Sequence, residues 1–535
     1  MAEQVLLYDT TLRDGMQGEG MSLSADEKVR VAHALDGLGV HLIEAGFPAS
    51  NPKEEALFDL LASESFSHAR IAAFGMTRRR DCAASEDPAL RLLAVGFAPV
   101  CTLVGKTWSL HLEKVTRVDP EENLRMIADS VAFLRGEGKR VVYDAEHFFD
   151  AYADDPGYAL RCLRAAAEAG AENLTLCDTN GATLPGAIAT ATAAVVAELG
   201  EHAAIGIHTH DDAGCGVANA LVAVEAGARL VQGTVNGYGE RCGNANLITI
   251  LPDLQLKLGY DCVAPELLGR LTETAHLIDE ICNVTPNVNN PYVGANAFAH
   301  KGGMHVAGVN RDARTFEHVD PVRVGADRRL LISELSGRGT VRARARDAGV
   351  DLSEDQATRL LERVKQLEHE GYHLEAADGS FDLLIRRESG AHEPLFTLES
   401  WRVIVEKRES GKVETEATIK IWVDGQRYVR TAEGNGPVNA LDKALRDAIC
   451  ETYPHLGDIE LVNFKVRILD ERKGTGAVTR VLLDAGDGRE TWGSIGVSEN
   501  IIEASWEALV DSLEAGMLPG RVRAEPPSVS EAAPR

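Results

Sequence analysis

The chain has 535 residues, of which 44% are apolar and 5% aromatic, enough to bury a sizeable core in more than one domain. Its formal net charge of −27 argues against a nucleic acid or an anionic membrane as a partner, because both favour clustered Lys and Arg. The nine cysteines form no CxxC pair, and no run approaches the roughly 18 apolar residues of a membrane span. We therefore expect a cytoplasmic protein with reduced thiols and no targeting segment.

Through about residue 250, short β-rich runs alternate with longer helical patterns. The candidate strands cover residues 5–9, 40–46, 69–74, 96–104, 140–146, 173–178, 204–210 and 229–235. Between them, segments such as 24–39 and 156–170 place apolar residues at helical spacing, with Ser24 as an N-cap. Eight strands, each followed by a crossover long enough for a helix, predict a parallel (β/α)8 TIM barrel. A doubly wound open sheet is the alternative, but the Gly-rich phosphate loop that it more often carries after its first strand is missing.

Beyond the barrel the pattern changes. We assign residues 1–260 to the barrel, 261–394 to a helical linker region that still contributes to function, 395–518 to an α+β domain, and 519–535 to a disordered tail. The α+β assignment comes from an internal repeat, since ATIKIWVDGQRYVRTAEGNGPVNALDKALRDAI resembles AVTRVLLDAGDGRETWGSIGVSENIIEASWEALVDSL. Each repeat is predicted to form a strand, a DG turn, a strand, a Gly-containing turn and an amphipathic helix.

Polar side chains collect where the predicted strands end. They are Asp9, Arg13, Asp14, Glu44, Glu146, Asp178, Thr179, His208, His210, Asn236, Glu240, Arg241 and Asn244. Barrel enzymes build their active sites at the carboxyl ends of the strands. The crowded stretch DTTLRDGMQGEG, directly after the first strand, is therefore predicted to be one wall of an active site.

The motif HTH places His208 and His210 on the same face of the seventh strand, where both imidazoles can reach one ion. Taken alone, this pattern also fits an ordinary polar strand end. Asp14 adds a hard oxygen ligand from the first strand, and Asn244 adds a neutral one from after the eighth, which neighbours the first in a closed barrel. The set predicts a divalent-metal site with open positions for a chelating substrate.

Three further residues are candidates for chemistry beside the metal. Arg13 would face negative charge developing on an oxygen, or form a structural ion pair with Glu44, and the two roles are compatible. Glu146 and His305 are the candidates for proton transfer at a carbon next to a carbonyl. For His305, in the Gly-rich stretch HKGGMH, simple surface exposure is the alternative.

These motifs resemble the α-isopropylmalate, homocitrate and citramalate synthases of the barrel metallolyase superfamily over nearly the whole chain. The resemblance is carried by DTTLRDGMQGEG, LIEAGFPASNPKE, CDTNGATLP, HTHDD, NGYGERCGNANL, FAHKGGMH, GNGPVNALDKAL and GVSENIIEAS. The stretches GKTWSLHLEKV, YDAEHFFDAY and HKGGMH are most similar to one citramalate synthase branch.

The resemblance implies an acyltransferase that condenses acetyl-CoA with pyruvate and hydrolyses the thioester, on a route to isoleucine. For a divalent Mn, Mg, Zn or Co ion, the residues that match the family are Asp14, His208, His210 and Asn244. Arg13 with Glu44 matches the oxyanion position, and the substrate positions are matched by Arg13, Asp14 and Thr179. Glu146 and His305 match the residues of the acid/base chemistry. It also implies a homodimer, with isoleucine as the effector of the repeat domain.

Two departures from the family pattern keep alternatives open. Asp211 stands where relatives usually have Asn, which adds a carboxylate near the metal, and Phe316 stands where relatives commonly have Tyr, although a phenyl ring cannot donate a proton. An isopropylmalate or homocitrate synthase is one alternative. A non-catalytic amino-acid sensor is another, but it would need none of the metal ligands. Phe148, Phe149 and Met304 either fill space near the substrate or belong to the core.

Overall fold

The computed structural model describes residues 2–330 and 337–518. It contains two compact units: the first comprises the residues up to 298 together with 318–328, and the second comprises 299–317 together with the residues from 329 onward. The predicted tail at 519–535 lies outside the described residues. The predicted boundaries at residues 260 and 394 stay predictions.

Eight parallel strands form a closed barrel in the first unit. In chain order they are β1 Leu6–Asp9, β2 Leu42–Gly46, β3 Arg70–Met76, β4 Val100–Lys106, β5 Arg140–Glu146, β6 Asn173–Asp178, β7 Ala204–Thr209 and β8 Leu230–Gly233. The first strand pairs with β2 on one side and with β8 on the other, which closes the sheet. The predicted (β/α)8 barrel is therefore confirmed.

Strand β4 differs from its predicted range of 96–104. It begins later because Pro99 has no N–H to donate to a neighbouring strand, while Gly96 still caps the preceding helix. It also ends later, at Lys106, which is in register with Glu146 at the end of β5. This extension brings a lysine to the end of the barrel where the predicted site residues lie.

Helices follow the strands around the outside of the barrel. The α-helices of the first unit are Ala25–Leu38, Pro52–Leu61, Pro88–Val95, Ser109–His111, Pro120–Gly136, Phe148–Asp154, Pro156–Glu168, Pro185–Leu199, Gly216–Glu225, Leu247–Pro252, Pro265–Leu268 and Leu271–Ile281. The first begins in a capping box, in which Ser24 accepts from the Glu27 N–H and the Glu27 carboxylate accepts from the Ser24 N–H. The predicted N-cap at Ser24 is therefore confirmed.

The interior of the barrel is apolar near the amino ends of the strands. Six buried residues form a cluster there: Tyr8, Leu42, Ala72, Val100, Val142 and Leu230. A larger core packs the outer faces of the strands against the surrounding helices, and it includes Phe148 and Phe149. These two rings thus belong to the core, whereas Met304, in the second unit, is 81% exposed. For Phe148 and Phe149 the structure therefore supports the second of the two readings, that they belong to the core.

The second unit begins with the short strand Ala299–His300, which pairs in parallel with Arg329–Leu330. The helices of this part of the chain are Gly303–Arg311, Arg338–Asp347, Glu354–Glu370 and Asp378–Ser389. Buried apolar side chains from the last three helices form one cluster, which includes Val341, Leu360, Val364, Phe381 and Ile385. This region therefore packs as a helical subdomain, and its cluster also includes Ile495 from the repeat region.

The predicted repeats form two similar α+β halves. The first contains strands Thr397–Lys407, Val413–Val423 and Gln426–Gly434 and helix Pro437–Ile449; the second contains strands Glu460–Ile468, Thr479–Gly486 and Thr491–Ser498 and helix Ile501–Gly516. Both sheets are antiparallel. At the first DG turn, Asp424 and Gly425 both have positive φ angles, of 47° and 78°, as a tight two-residue hairpin requires. The predicted α+β domain built from two repeats is confirmed.

Among the described residues, no helix has both the length and the apolar character that are needed to cross a bilayer.

Candidate active site

Three predicted metal ligands meet at the carboxyl end of the barrel. Asp14 follows β1, and His208 and His210 lie at the end of β7 and just after it. The Nε2 atoms of His208 and His210 are 3.2 and 3.8 Å from Oδ2 of Asp14, and 3.2 Å from each other. All three residues are buried, with at most 6% of their surface exposed. Two imidazole nitrogens and one carboxylate oxygen that face one point form a donor set suited to a divalent transition metal.

An orphaned buried atom indicates that these residues fit an ion. Within the described part of the chain, Asn244 Oδ1 is buried and has no hydrogen-bond partner. Asn244 forms an isolated β-bridge with His210, and its Nδ2 donates to the carbonyl of Tyr238 at 3.1 Å, which leaves Oδ1 as the remaining polar atom. Buried polar atoms without partners are rare and need an explanation, and a bound cation with its water or substrate ligands provides one.

The protonation states of Asp14 and His210 also suit a metal site. Burial disfavours the ionised form of Asp14, but the Arg13 guanidinium and His208 outweigh it and hold the pKa of this carboxyl far below its usual range. Burial, with a further contribution from His208, lowers the pKa of His210 to about 3. Near pH 7 the site therefore offers a carboxylate and a neutral imidazole, the ligand forms that a divalent cation requires.

Arg13 is held in place on both sides. Its Nη1 donates to Asp14 Oδ1 at 2.9 Å, and its Nε donates to Glu44 Oε1 at 2.6 Å. The guanidinium lies over the ring of Phe74, 4.1 Å from the ring centroid. Glu44 is fully buried, and its other oxygen accepts from the hydroxyl of Tyr8 at 2.7 Å. The predicted Arg13–Glu44 ion pair is present, and with both oxygens engaged Glu44 orients the guanidinium.

Glu146 shares a cavity of about 290 Å³ with the metal ligands. The sequence did not lead us to its partner, Lys106, whose ammonium forms an ion pair with Glu146 Oε2 in the same cavity. The signal was present in the GK pair at 105–106, which ends a strand on the same side as the other polar residues. Because the predicted strand ends at residue 104, the prediction leaves Lys106 out of the polar residues at the strand ends.

Beside Glu146, two histidines form a second compact cluster. The ring centroids of His111 and His147 are 4.3 Å apart, and their nitrogens lie within 4.8 Å of a Glu146 oxygen. Because the Lys106 ammonium already pairs with Glu146, this cluster does not suit a second cation. His147 has a left-handed backbone, with φ of 55°, and its N–H donates to Thr179 Oγ1 at 2.9 Å. That contact fixes the hydroxyl of Thr179, which also lines the cavity.

Asp211 does not add a carboxylate to the metal site. Its Oδ1 accepts from the N–H of Gly216 at 2.7 Å, at the start of the helix that follows β7. The side chain is therefore used to hold the start of that helix. The next residue, Asp212, forms an ion pair with Arg241, whose Nη2 also donates to the carbonyl of Thr179 at 2.8 Å. The sequence left open what Asp211 does, and its role is thus a local structural one.

His305 lies in the second unit, on the helix Gly303–Arg311. Its ring stacks on Phe316, with centroids 4.2 Å apart and an interplanar angle of 26°. The two residues that the sequence singled out after the barrel are therefore direct neighbours. The participation of His305 in the site formed by Asp14, His208 and His210 stays a prediction.

Comparison with known proteins agrees with this geometry. Residues 4–277 match the HMGL-like family, residues 292–372 match the homocitrate synthase post-HMGL domain-like family, and residues 375–517 match the LeuA allosteric (dimerisation) domain.

Relatives that match almost the whole chain show to which group of enzymes within this family it belongs. An (R)-citramalate synthase from Aquifex aeolicus is 46% identical, over 96% of this chain and 98% of the relative. One from Synechocystis sp. is 47% identical, over 96% of both chains. A probable 2-isopropylmalate synthase from Methanopyrus kandleri is 33% identical, over 95% of this chain and 98% of the relative. The chain therefore belongs to the HMGL-like family and, within it, to the (R)-citramalate synthases, acyltransferases of the class that its motifs predicted.

Proposed function

We propose that this enzyme condenses acetyl-CoA with pyruvate and then hydrolyses the thioester, releasing (R)-citramalate and CoA. The observation that carries the proposal is the buried Asp14, His208 and His210 triad at the carboxyl end of the barrel, in a chain 46% identical to citramalate synthases. The triad, with Asn244, would hold a divalent Mn, Mg, Zn or Co ion. When bound, the ion would supply Lewis-acid polarisation of the keto group of a 2-oxo acid.

Arg13 stabilises the charge that develops on the keto oxygen. Its guanidinium is fixed by Glu44, Asp14 and the Phe74 ring, so it need not reorganise when that charge appears. Thr179, held by the N–H of His147, is placed to donate its hydroxyl to the carboxylate of the oxo acid. Together these residues orient the keto carbon for attack from one side of the cavity.

Glu146 is the proposed base. It removes a proton from the methyl group of acetyl-CoA, and the resulting enolate carbon forms a C–C bond to the keto carbon, whose oxygen takes up the electron pair and a proton. Lys106 neutralises the Glu146 carboxylate in the resting site and keeps it at the cavity wall. Water then attacks the thioester carbonyl, the C–S bond breaks, and the thiol of CoA leaves. We assign to His305 the role of the general acid, which donates the proton that the keto oxygen takes up.

A panel of 2-oxo acids tests the choice of substrate. The wall of the cavity includes the apolar side chains of Phe74, Met76 and Val104, and we propose that they limit the room for a substrate side chain larger than a methyl group. We expect kcat/KM, measured by thiol release from acetyl-CoA, to rank pyruvate above 2-oxobutyrate. For 2-oxoisovalerate and 2-oxoglutarate we expect values at least about tenfold below that of pyruvate, equivalent to about 1.4 kcal/mol. A preference for 2-oxoisovalerate would instead favour an isopropylmalate synthase, the activity named for the Methanopyrus relative.

We infer that the LeuA-type domain binds isoleucine and supports a homodimer. A cavity of about 400 Å³ in this domain is lined by apolar side chains, including Leu461, Phe464 and Leu483. Asp442 and Arg446 also line it and form an ion pair, 2.8 Å between Oδ1 and Nε. An α-amino acid with a branched side chain matches this combination, because its ammonium and carboxylate suit the two charges and its alkyl group suits the apolar wall.

Substitution of Asp442 by Asn tests the effector site. The side chain keeps its size but loses the charge that would hold the ammonium of isoleucine, and hydrogen bonds to charged groups contribute about 1.5–3 kcal/mol. We expect the isoleucine concentration for half-inhibition to rise about tenfold or more, with uninhibited kcat unchanged. Asp447→Asn, an exposed position on the same helix, is the matched control. Unchanged inhibition in Asp442→Asn would place the effector elsewhere.

We also infer that the enzyme works in the reducing cytoplasm. All nine cysteines are free thiols, and burial raises the pKa of Cys101, Cys162, Cys262 and Cys282 to about 12, so that these thiols are unreactive.

A further inference from the structure

A buried chain of hydrogen bonds lies behind the metal ligand His208. His208 Nδ1 is 2.8 Å from Oε1 of Gln232, its register partner on β8. The amide nitrogen of Gln232 donates to Asp144 Oδ1 on β5 at 2.8 Å and to Thr175 Oγ1 on β6 at 3.2 Å. Gln232 and Thr175 are fully buried, and Asp144 is 3% exposed. Side chains from three strands of the barrel thus converge on one amide carried by a fourth strand.

The partners of Gln232 leave its amide only one orientation. A carboxylate accepts hydrogen bonds, so Asp144 requires an N–H from Gln232. The hydroxyl of Thr175 donates its own proton to Asn173 Oδ1 at 2.9 Å, so it accepts the second N–H. The Oε1 atom of Gln232 therefore faces His208 and must accept a hydrogen bond from the Nδ1–H of its ring.

That orientation dictates the tautomer of His208. With its proton on Nδ1, the neutral ring carries its lone pair on Nε2, the atom 3.2 Å from Asp14 Oδ2. If the amide were reversed, it would offer an N–H to Nδ1 and force the proton onto Nε2, where it would block metal binding. His210 has no comparable support, since its Nδ1 has no hydrogen-bond partner within the described residues.

We propose that Gln232, anchored by Asp144 and Thr175, is a positioning residue that fixes the tautomer and ring orientation of His208 and so preorganises the metal site. This inference rests on the proposed metal site formed by Asp14, His208 and His210. Gln232 does not touch the substrate or the reacting atoms. It acts through His208, and its effect is therefore measured first on metal affinity and only then on turnover.

The test is titration of the full-length, chelator-treated protein with Mn²⁺, with free Mn²⁺ followed by electron paramagnetic resonance. Gln232→Met keeps the length of the side chain but neither accepts from His208 nor donates to Asp144, and we expect it to weaken Mn²⁺ binding about 10- to 100-fold. Gln232→Glu keeps an oxygen facing His208 Nδ1, and we expect it to bind Mn²⁺ more tightly than the Met variant. Gln255→Met, at an amide that instead bonds the backbone of Val263, is the matched control and should bind as the wild type does.

The outcomes separate this inference from the metal assignment itself. Wild-type affinity in Gln232→Met would overturn the positioning role. Equal losses in the Met and Glu variants would also overturn it, because they would show that only buried packing had been disturbed. If the wild type fails to bind one equivalent of Mn²⁺, or if His208→Ala still binds it, the proposed metal site is wrong, whatever the Gln232 variants do.

Discussion

Substitution of His208 by alanine is expected to abolish turnover and to leave the barrel folded. The imidazole is buried at the end of β7 and is one of three side chains that converge on the proposed ion, so its loss removes a direct ligand. Asp14→Ala should have the same effect, because it removes the carboxylate that both imidazoles face. Thiol release with pyruvate, in metal-depleted buffer and after Mn²⁺ is added back, measures the loss.

The control for this experiment is His202→Ala. His202 is an exposed histidine just before β7, at the opposite end of the strand from His208, and its removal should leave kcat unchanged. Circular dichroism of each variant establishes that the fold is retained. Near-normal turnover of His208→Ala in metal-depleted buffer would contradict the assignment of the metal ligands.

Substitution of Glu146 by Gln is expected to lower kcat by about 10²- to 10⁴-fold, the usual contribution of a general base. Gln has the same shape but cannot take the methyl proton of acetyl-CoA at neutral pH. Because the oxo acid is held by Arg13, Thr179 and the metal ligands, KM for pyruvate should change little. This split between kcat and KM distinguishes a base from a residue that only binds substrate.

Two comparisons complete the Glu146 experiment. Glu137→Gln, an exposed position after the helix Pro120–Gly136, should behave as the wild type does. Lys106→Gln should lose less than Glu146→Gln, because Lys106 holds the carboxylate in place but takes up no proton. A Glu146→Gln enzyme that keeps more than about a tenth of wild-type kcat would move the base to another residue, with His305 as the first candidate.

The barrel and the position of its site could be predicted because both depend on local patterns. Each strand is a short apolar run, each crossover has helical spacing, and the functional residues follow the strands.

Asp211 is an exception. Its position in the sequence suggests a place at the metal, and only its contact with the Gly216 N–H shows where the side chain lies. A carboxylate next to a ligand in sequence can point away from that ligand in space.

The support for the site could not be predicted because it depends on which strands face one another. Gln232 is a single polar residue in an otherwise apolar run, and nothing in that run indicates that it meets His208, Asp144 and Thr175 from three other strands. The ion pair of Lys106 with Glu146 likewise depends on the register of β4 against β5.

The first strand of each half of the α+β domain was missed for a different reason. Thr397–Lys407 and Glu460–Ile468 are edge strands whose residues are mostly exposed, and they carry charged side chains. Without a buried face, such strands lack the clean apolar alternation that marks a strand in sequence. The two later strands of each sheet flank a DG turn, and that turn is the signal that predicts them.

We propose that the buried site of Asp14, His208 and His210, with Glu146 beside it, is where the acetyl carbon of acetyl-CoA is joined to the keto carbon of pyruvate. The most direct measurement is chiral chromatography of the organic acid formed from acetyl-CoA, pyruvate and Mn²⁺, alongside titration of the released thiol. We predict one equivalent of (R)-citramalate for each equivalent of CoA thiol, and neither product with His208→Ala. Thiol release without citramalate, or citramalate formed equally well by the His208→Ala variant, would contradict the account.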